Sequence, residues 1–236
     1  MRTVIILVIY IFLSFLLVPV IFFCYLLKRS QPLISIGKWA LRLGKKVLGM
    51  SLDICGEDRI KRDTPYVFMS NHLSLIDGPL LFMLIPQSIR VILKKEVFKV
   101  PIIGQAMRQA GFIPVDRKAL KGGKESIDRA ARMMREKGFS FLIFPEGTRS
   151  RDGKPQPFKR GGFFLALSSQ AAIAPVTIDG TYELMPKGSF FAKKGKIKVV
   201  FHQPVSVEGF EPNNISLLRD RVRAVILAGL RRESLQ

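Results

Sequence analysis

The sequence predicts an α/β domain in which a mostly parallel or mixed sheet is flanked by helices, preceded by an amino-terminal membrane-embedded helical segment. Seven short apolar runs after residue 50 have the length of strands, and helical patterns lie between several of them. Strand, helix and strand at this spacing suggest crossover connections and a largely parallel sheet. The membrane segment is predicted because residues 3–27 contain no charged side chain.

Residues 1–50 are predicted to form membrane-anchoring helices, and residues 51–236 the α/β domain. A helix over residues 3–27 would be about 37 Å long, enough to cross a hydrocarbon core of about 30 Å. Pro19 leaves a second arrangement open, in which the segment bends and re-enters one leaflet without spanning. A cleaved signal peptide is disfavoured because Lys28 and Arg29, rather than small residues, follow the apolar run.

Residues 31–50 have the pattern of a basic amphipathic helix. Trp39 stands among apolar residues, and lysines and arginines are interleaved with them, as in helices that lie in a membrane interface. The positive charge that follows residue 28 predicts that the remainder of the chain lies on the cytoplasmic side of the membrane.

Within the domain, one long helix is predicted over residues 121–137, where Ile127, Ala130, Ala131 and Met134 form one apolar stripe. Gly138 is expected to end it. Residues 214–232 are predicted to form a last basic amphipathic helix. The predicted strands cover residues 51–54, 66–69, 89–93, 111–115, 140–144, 173–178 and 196–201.

The composition favours a membrane surface as partner over nucleic acid. Thirty-eight Lys and Arg against 18 Asp and Glu give a formal net charge of +20, which indicates anionic partners. A hydrophobic fraction of 48% and a mean hydropathy of +0.22 are high for a nucleic-acid binder, and no finger, RNP-like or basic-zipper motif is present. Cys24 and Cys55 share no metal-ligand spacing.

The sharpest chemical clue lies in residues 66–81, where an apolar strand ends in a polar turn that carries His72. In open α/β sheets, ligands tend to bind at such strand ends. If His72 precedes the next helix, the turn can fold its imidazole onto the Asp77 carboxylate, which leaves the other ring nitrogen able to accept a proton. The alternative is that Asp77 only caps a helix whose N-cap is Ser74.

A second strand ends in a polar turn at residues 144–150, which read Phe-Pro-Glu-Gly-Thr-Arg-Ser. If the two strands are parallel, both turns lie at the same sheet edge. Arg149 offers a planar fork of donors suited to a phosphate. Glu146 can orient Arg149 or accept a substrate hydroxyl. The alternative is an ordinary surface turn with a local Glu–Arg pair, which is worth little.

Further segments add cations and a proline-containing strand. Lys95 follows the third predicted strand, and Arg117 follows the fourth. Taken singly, these cations fit a solvated surface. Pro175 and Val176 lie in a late apolar strand, where a proline suggests an edge position or a strand beginning.

The order of these segments resembles the glycerolipid acyltransferase family. The resemblance rests on Asn71-His72-x4-Asp77, then residues 111–117, then residues 144–149, then residues 174–176, and it covers roughly residues 66–180. Within the family it looks like the bacterial 1-acyl-sn-glycerol-3-phosphate acyltransferases, which residues 94–104 also resemble. Val97 departs from that group, in which leucine is more common.

The resemblance implies a role for each matching residue. His72 would be the general base that takes the proton of the free sn-2 hydroxyl of lysophosphatidate, and Asp77 would hold and polarise it. The residues that would bind the glycerol phosphate are Glu146, Gly147, Thr148 and Arg149, with positive charge added by Arg117 and Lys95. Pro175 and Val176 would help to line the acyl or acceptor pocket.

The resemblance also implies the reaction and its setting. The enzyme would be a 1-acylglycerol-3-phosphate O-acyltransferase of the bacterial inner membrane, with its catalytic domain on the cytoplasmic face. The donor would be a thioester on coenzyme A or on acyl carrier protein, with neither cofactor nor metal, because a thioester is already activated. A Gly-x-Ser-x-Gly nucleophile motif is absent from the sequence, which favours direct transfer. Backbone N–H groups at a strand–helix turn would stabilise the oxyanion.

Two alternatives remain open at this stage. The same machinery could acylate another lysophospholipid or a lyso-aminolipid. The chain could also be a membrane-surface binding protein with a degenerate site, although the presence of His72, Asp77, Glu146 and Arg149 argues against this. His202, which follows the last predicted strand, is interpreted as structural.

Overall fold

The seven predicted strands form one mixed sheet in the computed structural model, which describes residues 2–27, 29–116, 120–189 and 191–231. Each strand lies within three residues of its predicted bounds. The strands are β1 (Met50–Cys55), β2 (Val67–Ser70), β3 (Ile89–Lys94), β4 (Ile113–Val115), β5 (Ser140–Ile143), β6 (Ile173–Asp179) and β7 (Gly195–Phe201).

The strand order is β1-β7-β6-β2-β5-β3-β4. All neighbouring strands pair in parallel except β6 and β7, which are antiparallel. In the parallel pair β2 and β5, Val67 lies opposite Phe141 and Met69 opposite Ile143. The turns that follow these two strands therefore leave the same sheet edge, as predicted.

Helices connect the strands and cover both faces of the sheet. Residues 95–99 and 57–59 form short 3-10 turns. The helices are α1 (Arg2–Leu26), α2 (Gln31–Leu48), α3 (Asp77–Leu84), α4 (Ile103–Gln109), α5 (Leu120–Lys137), α6 (Gly161–Ser169), α7 (Thr181–Leu184) and α8 (Ile215–Arg231). Gly138, with φ of +62°, follows the end of α5 as predicted.

Two apolar clusters pack against the two sheet faces. Because side chains alternate along a strand, Phe68 of β2 enters one cluster with residues of α3, while Val67 and Met69 enter the other. The second cluster also contains residues of α5, α6 and α8. The central strands are thus buried on both faces, which explains why they read as continuous apolar runs.

The amino-terminal segment forms two helices that pack on each other and on α4. Ile21 and Cys24 of α1 are buried with Leu33 of α2, and Ile102 and Ala106 pack against them. The predicted amphipathic helix ends at Leu48, where Gly49 adopts a left-handed conformation with φ of 70°. Among the described residues, no helix combines the length and the apolar character needed to cross a membrane.

One strand assignment from the sequence was wrong. Pro175 suggested an edge strand or a strand beginning, yet β6 lies inside the sheet between β7 and β2. The proline is tolerated because β7 ends opposite Val176, so regular pairing on that side stops before Pro175. The Pro175 carbonyl there accepts the His202 N–H at 3.0 Å, and the absent proline N–H interrupts no regular ladder.

Candidate active site

The predicted turns meet at the carboxyl edge of the parallel strands. Residues 71–76 leave β2 and residues 144–150 leave the neighbouring β5. The two turns are bonded together, because the Ser150 N–H donates to the His72 carbonyl at 2.9 Å. Parallel pairing alone therefore brings the two sequence motifs into contact.

The Asp77 carboxylate organises the turn after β2. Its Oδ2 lies 3.0 Å from His72 Nδ1 and accepts the N–H groups of Leu73 and Ser74, each at 2.7 Å. The Asp77 side chain is completely buried. One carboxylate oxygen thus holds the His72 ring and the backbone of the next two residues of the turn.

Ser74 was predicted as the N-cap of this helix, and the structure corrects that. The helix begins three residues later, at Asp77. The Ser74 hydroxyl donates to the Met185 carbonyl at 2.7 Å, while its N–H donates to Asp77. The N–H groups of Leu73 and Ser74 donate to the Asp77 carboxylate, because a carboxylate is a stronger acceptor than a hydroxyl.

The His72 ring is held by a hydrogen bond at one edge and a ring contact on one face. Phe144 stacks on it with ring centroids 4.1 Å apart and an angle of 18° between the planes. With Nδ1 committed to Asp77, the Nε2 atom is the ring nitrogen that can exchange a proton with a substrate. The His72 side chain remains 19% exposed, which is enough for access to a ligand.

Glu146 braces both turns and does not pair with Arg149. Its Oε1 accepts the His72 N–H, and its Oε2 accepts the Gln156 N–H, both at 2.8 Å. Burial raises the pKa of Glu146 to about 7; the two amide hydrogen bonds and the charge of Arg223 oppose this rise, and the charge of Asp77 adds to it. Glu146 therefore contacts the backbone that carries the histidine.

The turn after β5 leads directly into a surface cavity. Pro145 and Gly147 shape the turn, in which the Gly147 N–H donates to the Phe144 carbonyl at 3.0 Å and Gly147 has a φ of +72°. Arg149 follows two residues later. The cavity has a volume of about 270 Å³, and its lining residues are Thr148, Arg149, Arg151, Asp152, Gln156 and Lys187.

The other predicted site residues lie at different distances from this centre. Lys95 follows β3, which is separated from β2 by β5, and its ammonium pairs with Asp116. Arg117 lies outside the described residues. Pro175 and Val176 lie in β6, next to β2, and Val176 is fully buried in the apolar core. Their assignment to the acyl or acceptor pocket stays a prediction.

Three residues make contacts in this site that the sequence did not predict. Phe144 was recognised as part of a motif, but its stacking on His72 depends on the angle at which β5 ends. Gln156 acts through its backbone N–H, which any residue except proline could provide. Lys187 is far away in sequence, and a single lysine in a basic chain gives no signal. Among the residues that the structure describes, no three His, Cys, Asp or Glu side chains form a possible metal site.

The chain is similar to known acyltransferases in sequence and in fold. An acyltransferase family model matches residues 51–179. The 1-acyl-sn-glycerol-3-phosphate acyltransferase alpha of Mus musculus is 30% identical over 217 residues, which cover 92% of this chain and 75% of the mouse protein. The crystal structure of the 1-acyl-sn-glycerophosphate acyltransferase PlsC from Thermotoga maritima aligns with a TM-score of 0.76 at 25% identity, covering 100% of this chain and 98% of that protein.

Plant relatives share only part of their length with this chain. The chloroplastic 1-acyl-sn-glycerol-3-phosphate acyltransferase BAT2 of Brassica napus is 37% identical over 155 residues, which are 65% of this chain but 44% of the plant protein. The chain thus spans less than half the length of that relative.

Proposed function

This chain belongs to the acyltransferase family, in the group of the 1-acyl-sn-glycerol-3-phosphate acyltransferases, and we propose that it acylates the sn-2 hydroxyl of 1-acyl-sn-glycerol 3-phosphate. The acyl donor is a thioester, either acyl-CoA or acylated acyl carrier protein, and the product is phosphatidate. The observation that carries this proposal is the 3.0 Å contact between His72 Nδ1 and Asp77 Oδ2. The neighbouring turn, which is hydrogen-bonded to the turn of His72, carries Arg149.

In the proposed reaction, His72 acts as general base. Its Nε2 takes the proton of the sn-2 hydroxyl as the oxygen attacks the thioester carbonyl carbon. The carbon–sulfur bond then breaks, and the leaving thiolate takes the proton back from the imidazolium. Asp77 holds the ring in the required tautomer and stabilises the imidazolium while it exists. Glu146 acts on the backbone of His72 as a positioning residue.

The acceptor phosphate binds beside Arg149 in this proposal. The cavity that Arg149 lines opens from the same turn that braces His72. A phosphate held there keeps the glycerol hydroxyls within reach of the base. Fixed geometry between base and acceptor is worth several kcal/mol of the barrier in reactions of this kind.

We also propose that α1 and α2 hold the enzyme in one leaflet of a membrane. Many apolar side chains of α1 are exposed, among them Phe12, Phe15 and Phe22. Exposed aromatic side chains in such numbers fit a lipid environment better than water. The bacterial inner membrane and the cytoplasmic face remain predictions from the sequence.

A panel assay tests the proposed substrates. The purified protein in detergent is given acyl-CoA or acylated acyl carrier protein as donor, with lysophosphatidate, other lysophospholipids and a lyso-aminolipid as acceptors. Lysophosphatidate is expected to give the highest kcat/KM. A clear preference for another lysolipid would show that the same machinery serves a different acceptor, and no transfer from either donor would refute the acyltransferase activity.

Replacement of Arg149 tests the phosphate site. Arg149→Ala is expected to raise the KM for lysophosphatidate by about 10- to 100-fold, since a hydrogen bond to a charged group contributes about 1.5–3 kcal/mol. The matched control is Arg160→Ala, because Arg160 is exposed and does not line the cavity. Unchanged KM and kcat in Arg149→Ala would remove Arg149 from the site.

A further inference from the structure

We propose that Lys187 is a second ligand of the acceptor phosphate and makes the site selective for a phosphomonoester. Lys187 lies between α7 and β7, outside the motifs that revealed the active site, yet it lines the same cavity as Arg149. This inference rests on the proposed function, since it names the group that completes the phosphate site of that enzyme.

Two contacts fix the Lys187 ammonium at the wall of the cavity. Its Nζ donates to the Thr148 hydroxyl at 3.2 Å and to the Arg149 carbonyl at 3.1 Å. An ammonium has three N–H donors, so one donor remains after these two bonds. Because Lys187 lines the cavity, a bound phosphate is within reach of that donor.

The charges around the cavity favour a dianion. Arg149, Arg151 and Lys187 contribute three cationic groups, and among the described residues that line the cavity Asp152 is the single carboxylate. Asp152 is engaged elsewhere, because its Oδ1 accepts the Ser150 hydroxyl and the Lys154 N–H. These two hydrogen bonds also lower the pKa of Asp152, so it stays ionised and does not act as a donor.

Arg149 and Lys187 suit different oxygens of one phosphate. A guanidinium binds two oxygens through its planar fork, whereas an ammonium is a compact charge that binds one. A phosphomonoester offers three terminal oxygens and about two negative charges. A phosphodiester has only two terminal oxygens and one negative charge. It would therefore leave one of the two cations without a partner.

Lys187 could instead act only as a clamp on the turn that carries Arg149. The two roles give different kinetics. A phosphate ligand determines the KM for the acceptor and leaves the KM for the acyl donor unchanged. A clamp that only shapes the turn would change kcat at saturating concentrations of both substrates, because the turn also braces His72.

The test compares Lys187→Met, which keeps the length of the side chain but removes its charge, with Lys187→Arg, which keeps the charge. The control is Lys194→Met, because Lys194 is exposed on the same connection and does not line the cavity. Each variant is assayed in detergent with lysophosphatidate and acyl-CoA. sn-Glycerol 3-phosphate is added as a competitive inhibitor that carries the phosphate without the lipid.

Lys187→Met is expected to raise the KM for lysophosphatidate and the inhibition constant of sn-glycerol 3-phosphate by about 10- to 100-fold each, with kcat and the donor KM within about twofold. Lys187→Arg is expected to recover most of both constants, and Lys194→Met to match the wild type. Unchanged constants in Lys187→Met, or a loss of kcat alone, would overturn the inference. A wild type that does not acylate lysophosphatidate would refute the proposed function, and this inference with it.

Discussion

Two buried carboxylates control the position of the candidate base, each in a different way. Asp77 contacts the His72 ring through one oxygen, while its other oxygen, Oδ1, is buried without a hydrogen-bond partner among the described residues. Glu146 contacts the His72 backbone. Asp77 fixes the orientation and tautomer of the His72 ring, and Glu146 fixes the position of the His72 backbone. A base in an acyl transfer needs both.

The elevated pKa of Glu146 predicts a pH-dependent stability. Its value of about 7 in the folded protein lies above the ordinary value of 4.5, so the folded state retains the proton after the unfolded chain has lost it. The free energy of unfolding should therefore fall as the pH rises from about 4.5 to 7, by up to about 3 kcal/mol from this group. Urea unfolding in detergent at several pH values measures this.

Glu146→Gln provides the comparison for that measurement. Glutamine cannot ionise, so this component of the pH dependence should disappear in the variant. Its amide presents one carbonyl oxygen to two N–H donors, and we expect kcat to fall about tenfold or more as one brace is lost. An unfolding free energy with the same pH dependence in both proteins would contradict the assignment to Glu146.

At the scale of the elements, the site depends on how β2 ends. Asn71 follows β2 directly, and its side chain extends the pairing with β6: its Nδ2 donates to the Ile178 carbonyl at 2.7 Å, and its Oδ1 accepts the Ile178 N–H at 2.9 Å. An amide side chain here replaces a backbone that has turned away. This contact lets the chain leave the sheet at His72 without leaving β6 unpaired.

Asn71→Ala is expected to destabilise the fold by about 2–4 kcal/mol. The substitution leaves the buried N–H and carbonyl of Ile178 without partners, and each unsatisfied group costs about 1–3 kcal/mol. Chemical unfolding measures the loss. Asn213→Ala is the control, because Asn213 is exposed in the loop before α8. Equal stability of the two variants would show that the Asn71 contact contributes little.

At the scale of the whole molecule, much of the architecture could be predicted because it follows from local patterns. Apolar runs gave seven strands, and the parallel pairing of β2 and β5 was sufficient to place His72 and Arg149 at one edge. The strand order was not predictable, because contacts between distant residues determine it. Hence the antiparallel β7 and the interior position of Pro175 were known only from the structure.

In the candidate site, too, local contacts could be predicted from the sequence and contacts between distant residues could not. The pairing of His72 with Asp77 could be predicted, since four residues separate them and His72 lies in the turn that leads into the helix begun by Asp77. The contacts of Glu146 with Gln156 and of Lys187 with Thr148 depend on loops that meet only in the folded chain. Sequence spacing carries no information on such contacts. From residue type alone, Glu146 was expected to pair with Arg149, whereas it accepts the N–H groups of His72 and Gln156.

The proposed membrane attachment is a property of the whole chain. After carbonate extraction of membranes, the wild type should remain in the pellet. Phe12→Glu/Phe15→Glu should raise the ratio of released to membrane-bound protein more than about a hundredfold, because each phenylalanine contributes about 1.5–3 kcal/mol when buried in an apolar phase. Both side chains are strongly exposed on α1, at 64% and 67%.

Leu217→Glu is the matched control for attachment. Leu217 is 65% exposed on α8, in the α/β domain, and its replacement should leave the protein in the pellet. Complete release of the wild type by carbonate would contradict the proposal that α1 and α2 are inserted in the membrane.

The central claim is that His72 is the base for acyl transfer, and the two histidines of the chain allow a direct test. His202 contacts the Thr177 hydroxyl at 2.7 Å. Turnover of lysophosphatidate with acyl-CoA should fall about a thousandfold in His72→Ala, within the range of general-base catalysis, while His202→Asn stays within about threefold of the wild type. Both variants should keep the wild-type circular dichroism spectrum. Near-normal turnover by folded His72→Ala would contradict the account.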